Sequence, residues 1–70
     1  MKKETGVVKW FDNGKGYGFI VNEDGDDVFV HYKNITGEGY KTLRDGDRCR
    51  YYKLQSDKGW SASEVEKEVD

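Results

Sequence analysis

Residues 15–31 read Lys15-Gly16-Tyr17-Gly18-Phe19-Ile20-Val21-Asn22-Glu23-Asp24-Gly25-Asp26-Asp27-Val28-Phe29-Val30-His31. Two runs rich in aromatic and β-branched residues flank Asp24-Gly25, a dipeptide suited to the positive φ of a tight hairpin turn, so the stretch reads as two antiparallel strands. Side chains two apart in a strand share a face. Tyr17 and Phe19 therefore stand together with Ile20 opposite them, and Phe29 and His31 share a face while Val28 and Val30 take the other. One side of the hairpin is aliphatic and suits a core; the other is a surface of rings.

The period of two continues on both sides of the hairpin. A first strand is expected over Val7–Phe11, which adds Val8 to the aliphatic face, with Asn13-Gly14 as the turn into the second strand, Tyr17–Asn22. The third strand is expected over Asp27–Tyr32. From Lys33 to Gly46 the alternation fades and Gly37, Gly39 and Gly46 intervene, so a long connecting loop with one helical turn near Asn34 is expected. A fourth strand fits Arg48–Gln55, Ser56-Asp57-Lys58-Gly59 turns the chain, and a fifth fits Trp60–Glu66 before a short acidic tail. Five short strands cannot cover both faces of a flat sheet. The expected fold is all-β, with the five strands closed into a small barrel and residues 1–70 as one domain.

Composition narrows the function. Seventy residues leave room for one small domain and exclude a two-domain enzyme. Twelve Lys and Arg stand against 14 Asp and Glu, a formal net charge of -2. The tail from Glu64 onward carries a net -3, leaving +1 for residues 1–63. Only 14 residues are Leu, Ile, Val or Phe, at the edge of what a folded chain needs, so the ten aromatics carry much of the packing and still exceed it. No apolar run approaches a membrane span or a secretory leader, and a cytoplasmic location is expected. With Cys49 and His31 as single representatives of their kinds, neither an internal disulfide nor a structural zinc site is expected. Neither a cofactor nor a metal is called for. Asp24-Gly25-Asp26-Asp27 superficially resembles a calcium loop, but Ile35 stands at the twelfth position, where a bidentate Glu is required.

Rings are commonly buried, and a second core face is the ordinary reading of a hairpin like this one. Two features weigh against it. His31 would enter the interior without a clear partner beside Lys9 and Lys15, and so short a chain lacks the material to cover a second face. Tyr17, Phe19, Phe29 and His31, flanked by Lys9, Trp10 and Lys15, then form an exposed patch of stacking rings rimmed by cations. Unpaired nucleic acid suits such a patch, because every base offers a π-face that a duplex hides.

Lys15-Gly16-Tyr17-Gly18-Phe19-Ile20 resembles the first ribonucleoprotein motif, and Val28-Phe29-Val30-His31 resembles the second. In RNA recognition motifs the second precedes the first and helices intervene. The reversed order, together with Lys9-Trp10-Phe11 and Gly37-Glu38-Gly39-Tyr40-Lys41, resembles the bacterial cold-shock proteins over roughly residues 5 to 66. That resemblance implies a five-stranded antiparallel Greek-key barrel (OB-fold), with a core about 5–66, that binds single-stranded RNA and DNA with low sequence specificity, preferring pyrimidine-rich segments. It further implies an RNA chaperone that destabilises RNA secondary structure, with transcription or translation regulation in the cold-shock response as a further role. It assigns stacking to Trp10, Tyr17, Phe19, Phe29, His31, Tyr32 and Tyr40, backbone or base-edge contacts to Lys9, Lys15 and Lys58, and a hydrogen-bond acceptor role to Asp27. No membrane contact is implied, and a monomer is expected.

The last third departs from the family's pattern. Trp60 stands where the family usually has Pro, Glu64 where it usually has Asn, Lys53 where an apolar residue is usual, and Arg48 and Arg50 make the fourth strand basic. Trp60 is either a further platform beside Lys58 or a lid over the barrel end. Cys49 and Tyr51 fall on the inward phase of the fourth strand, and Tyr51 and Tyr52 cannot both point inward. Leu43, Ile35 and Val65 are expected to plug the barrel. A thiolate activated by His31 would require two residues on different sides of the sheet to meet. Two rival functions are set aside: a peptide-binding barrel of SH3-like type, whose usual motifs are missing, and an enzyme, for which no acid-base pair or nucleophile constellation can be assembled.

Overall fold

The computed structural model describes residues 2–36, 43–57 and 59–68. Strand β1 spans Glu4–Asp12, β2 Tyr17–Asn22 and β3 Asp27–His31, followed by a 3-10 turn over Tyr32–Asn34; β4 spans Arg48–Ser56 and β5 Gly59–Lys67. They close into a barrel in the order β1-β2-β3-β5-β4. The hairpin pairs β1–β2, β2–β3 and β4–β5 are antiparallel, as is β1–β4. Closure is in parallel: Phe29 of β3 meets Ser61 of β5, and Ile35 bridges Val65 in the same sense. Strand β1 starts three residues before the alternation signals it, because Glu4 to Val7 pair with β4, and only Gly6 and Val7 of these also pair with β2.

The aliphatic face lies inside. Val8, Ile20, Val28 and Val30 are buried together with Ile35, Leu43, Cys49, Tyr51, Ala62 and Val65. Tyr51 points inward and Tyr52 does not. Inside the barrel the Cys49 thiol lies 3.8 Å from the Gly6 carbonyl oxygen, and burial, followed by the nearby Asp47 and Glu68 carboxylates, pushes its pKa up to about 12. It is a small apolar filler on the opposite side of the sheet from His31.

Two irregularities change which face each residue takes. Val8 pairs with Ile20 and Trp10 with Phe19, so Lys9 is an extra residue in β1. This bulge lets Val8 and Phe11 both turn inward and leaves Lys9 and Trp10 exposed between them. In β5 the register slips between Arg50 and Tyr52, and Glu64 adopts φ 50°. The slip lets Ala62 and Val65, three apart, both face the core.

Candidate nucleic-acid interface

The outer face of β1, β2 and β3 gathers the rings. Antiparallel pairing sets Tyr17 opposite His31 and Phe19 opposite Phe29, and the β1 bulge brings Trp10 beside Phe19. Trp10 meets Phe19 edge-on at 5.5 Å and Tyr17 at 6.0 Å between centroids; Phe29 lies 5.7 Å from Phe19 and 5.9 Å from Tyr17. These edge-to-face and tilted contacts fix the rings against one another, and each ring is worth about 0.5–1.5 kcal/mol to its neighbour beyond burial. Tyr17, Phe19, Phe29 and His31 are half-buried, whereas Trp10 is 37% and Tyr32 42% exposed. The rings support each other edgewise and leave surface for a planar ligand.

Two glycines permit this arrangement. A Cβ at Gly18 would strike the Trp10 carbonyl oxygen and lie 2.7 Å from Phe11 Cα, so β1 and β2 can approach closely only with glycine there. Gly16 has φ +80°, and a Cβ on it would meet the Tyr32 ring at 2.6 Å. The Gly16 carbonyl accepts the Tyr32 N–H at 2.8 Å, which seats Tyr32 over the β1–β2 turn. That turn is set by Asp12, whose carboxylate accepts the N–H groups of Gly14 and Lys15 at 2.9 and 3.0 Å.

His31 finds the partner that its position in the sequence did not reveal. Its Nδ1 accepts the Lys33 N–H at 3.2 Å, capping the 3-10 turn, and its ring lies 4.6 Å from that of Tyr32. Lys9 Nζ lies 3.5 Å from Asp27 Oδ2 across the strands. Both side chains are about half exposed, so the pair is weak and exchangeable. Lys15 is exposed beside a small hollow that it lines with Gly16 and Tyr32. Tyr40 and Lys58, expected at this surface, lie outside the described residues.

Beyond Phe29 the ring face continues into a groove of about 900 Å³ lined by Phe19, Phe29, Asp27, Asn34, Ser61 and Trp60. Trp60 is 38% exposed and borders this groove, while the ammonium of Lys53 sits 4.3 Å from its ring centroid. Asn34 and Ser61 carried no signal in the sequence. Ser61 enters the site only because β5 closes on β3, a contact between distant strands that no local pattern announces.

The model of the family described as "'Cold-shock' DNA-binding domain" matches residues 4–68. The chain is similar to Cold shock protein CspB of Bacillus caldolyticus, with 50% identity over 64 residues that cover 91% of this chain and 97% of that protein. It is 44% identical to Cold shock protein CapB of Pseudomonas fragi, covering 91% of this chain and 93% of that one. Among solved structures, "drosophila Unr CSD456" superposes with a TM-score of 0.78 at 16% identity, covering 97% of this chain and 27% of the other. That likeness concerns the fold.

Proposed function

Because the chain belongs to the family of the cold-shock DNA-binding domain, we propose that it binds single-stranded RNA and DNA with low sequence specificity, bases stacking on the outer face of β1–β3. What carries the reading is the ring cluster itself: Trp10, Tyr17, Phe19 and Phe29 lock one another edgewise while Trp10 and Tyr32 stay exposed. The sites are Lys9, Trp10, Lys15, Tyr17, Phe19, Asp27, Phe29, His31 and Tyr32, with Tyr40, Lys58 and Trp60 as further contacts. Stacking supplies about 1–3 kcal/mol per base, so a few platforms suffice although the chain is slightly acidic. Phosphate contacts are few, and affinity falls only shallowly with salt.

A protein that prefers unpaired strands shifts RNA hairpins toward the open form by the difference in the two affinities, without ATP and without a chemical step. This is an RNA chaperone acting by mass action, on pyrimidine-rich strands and as a monomer in the cytoplasm. The test is a fluorescence titration of the Trp60→Phe protein, which reports on Trp10. Oligothymidine should quench the signal, and the matching duplex or a Pro-rich peptide should leave it nearly unchanged. Response to the duplex or the peptide alone would reject the reading.

A further inference from the structure

Lys53 reaches the groove end of the barrel from β4. Its Nζ lies 4.3 Å from the centroid of the Trp60 ring and 4.0 Å from Asp26 Oδ2, with the side chain only 15% exposed. The negative face of the indole and the Asp26 carboxylate both attract the ammonium of this sheltered side chain. The register explains the contact. Lys53 pairs with Ala62 and Gln55 with Trp60, so Lys53 and Trp60 are diagonal neighbours on one side of the hairpin, within reach for long side chains.

We propose that Lys53 is a positioning residue that holds the Trp60 indole as an additional stacking platform, so that the groove takes one nucleobase beyond those on the β1–β3 rings. The inference rests on single-strand binding by the ring face and extends it. An unanchored tryptophan near a hairpin end samples several rotamers, and a base that stacks on it must first freeze them. Lys53 removes that penalty by covering one face of the indole, while the ring still borders the groove beyond Phe29. Asp26, in the β2–β3 turn, lies 4.0 Å from the ammonium and adds a weak attraction between the two hairpins. The remaining rim, with Asp27 and Asp57, is acidic; it repels phosphate and admits the uncharged face of a base. Lys53 and Trp60 both depart from the family's usual pattern, and one contact joins the two departures.

The experiment measures affinity for oligothymidines of about 4 to 16 nucleotides, the range covered by one OB barrel, in the wild type, Lys53→Met and Lys53→Arg. Methionine keeps the apolar stem and loses the charge, whereas arginine keeps a cation that stacks on tryptophan. In the wild type each added nucleotide should strengthen binding until the Trp60 platform is filled. Lys53→Met should lose roughly five- to tenfold of that last increment, within what one stacked base supplies, and Lys53→Arg should retain it. A wild-type length profile in Lys53→Met, with only its melting temperature lowered, would make the pair a lid over the barrel end and overturn the proposal. So would recovery of the increment on adding Asp26→Asn to Lys53→Met, because charge balance rather than ring position would then be the cause. Absence of binding at every length in all three proteins would overturn the single-strand reading itself and this inference with it.

Discussion

The first three strands and the last hairpin solve the same packing problem with different materials. On β1–β3 an aliphatic inner face backs a ring-covered outer face, and a bulge at Lys9 lets Val8 and Phe11 both reach the core while Trp10 joins the rings. On β4–β5 the inner face is again apolar through Cys49, Tyr51, Ala62 and Val65, but the outside carries charge. Arg50 and Lys3 lie 3.6 and 3.3 Å from Glu66 Oε1, Arg48 lies 3.5 Å from Glu68, and Lys67 lies 3.2 Å from Asp47. The difference shows a barrel divided by labour. One side of the barrel presents flat, polarisable ring surface, and the other presents ion pairs.

The largest expected effect breaks the first region. Phe19→Ala combined with Phe29→Ala should weaken oligothymidine binding by about 2–6 kcal/mol, at roughly 1–3 per platform, though touching rings need not add. An unaltered dissociation constant would remove these rings from the site. Gly18→Ala should then cost about 3 kcal/mol of stability or more, at the top of the overpacking range, because its Cβ has nowhere to go against the Trp10 carbonyl. Urea unfolding measures it. A loss below about 1 kcal/mol would mean that β1 and β2 can separate without penalty.

The two regions were not equally legible in the sequence. Strand β2 has the bounds the alternation predicts, and β3 ends one residue early because Tyr32 opens the 3-10 turn. Period and turn chemistry are local, so they survive in the string. The bulge at Lys9 is not local: Lys9 and Trp10 both face outward, which breaks the alternation and appears only once β2 is in register. The parallel closure through Phe29 and Ser61 is hidden for the same reason, and with it the groove. Lys53, Trp60 and Glu64 stood out singly as departures from a family resemblance. Their meaning came from register, which sets Lys53 against the Trp60 ring and puts Glu64 in the left-handed region.

Glu64 sharpens the contrast from the other side. A non-glycine residue at φ 50° is strained, and Asn tolerates that region better than Glu. Glu64→Asn should therefore stabilise the protein by about 1 kcal/mol, a rise in melting temperature of about 4–8 °C for a domain of this size. Thermal melts should show the gain with oligonucleotide affinity unchanged, since Glu64 lies on β5 away from the rings. A fall in melting temperature would mean that the carboxylate contributes more than the strain removes.

The smallest effect is a pH dependence in the shared core. The Cys49 thiol has an ordinary pKa of 9.0 and stays protonated in the folded chain until about pH 12. The unfolded chain therefore loses the proton first as pH rises. The stability this site confers is complete below pH 9 and declines from there toward pH 12. The gap in melting temperature between wild type and Cys49→Ala should accordingly narrow between about pH 8 and about pH 10.5. A constant gap would mean that the thiol is hydrated in the folded state.

The central claim concerns where a single strand rests. Proton NMR of the aromatic side chains during titration with oligothymidine tests it most directly, because a stacked base shields the ring protons beneath it. The account predicts upfield shifts for Trp10, Phe19 and Phe29, with the buried Tyr51 ring unmoved. Shifts confined to Tyr52 and the charged face of β4–β5, with the β1–β3 rings silent, would contradict it.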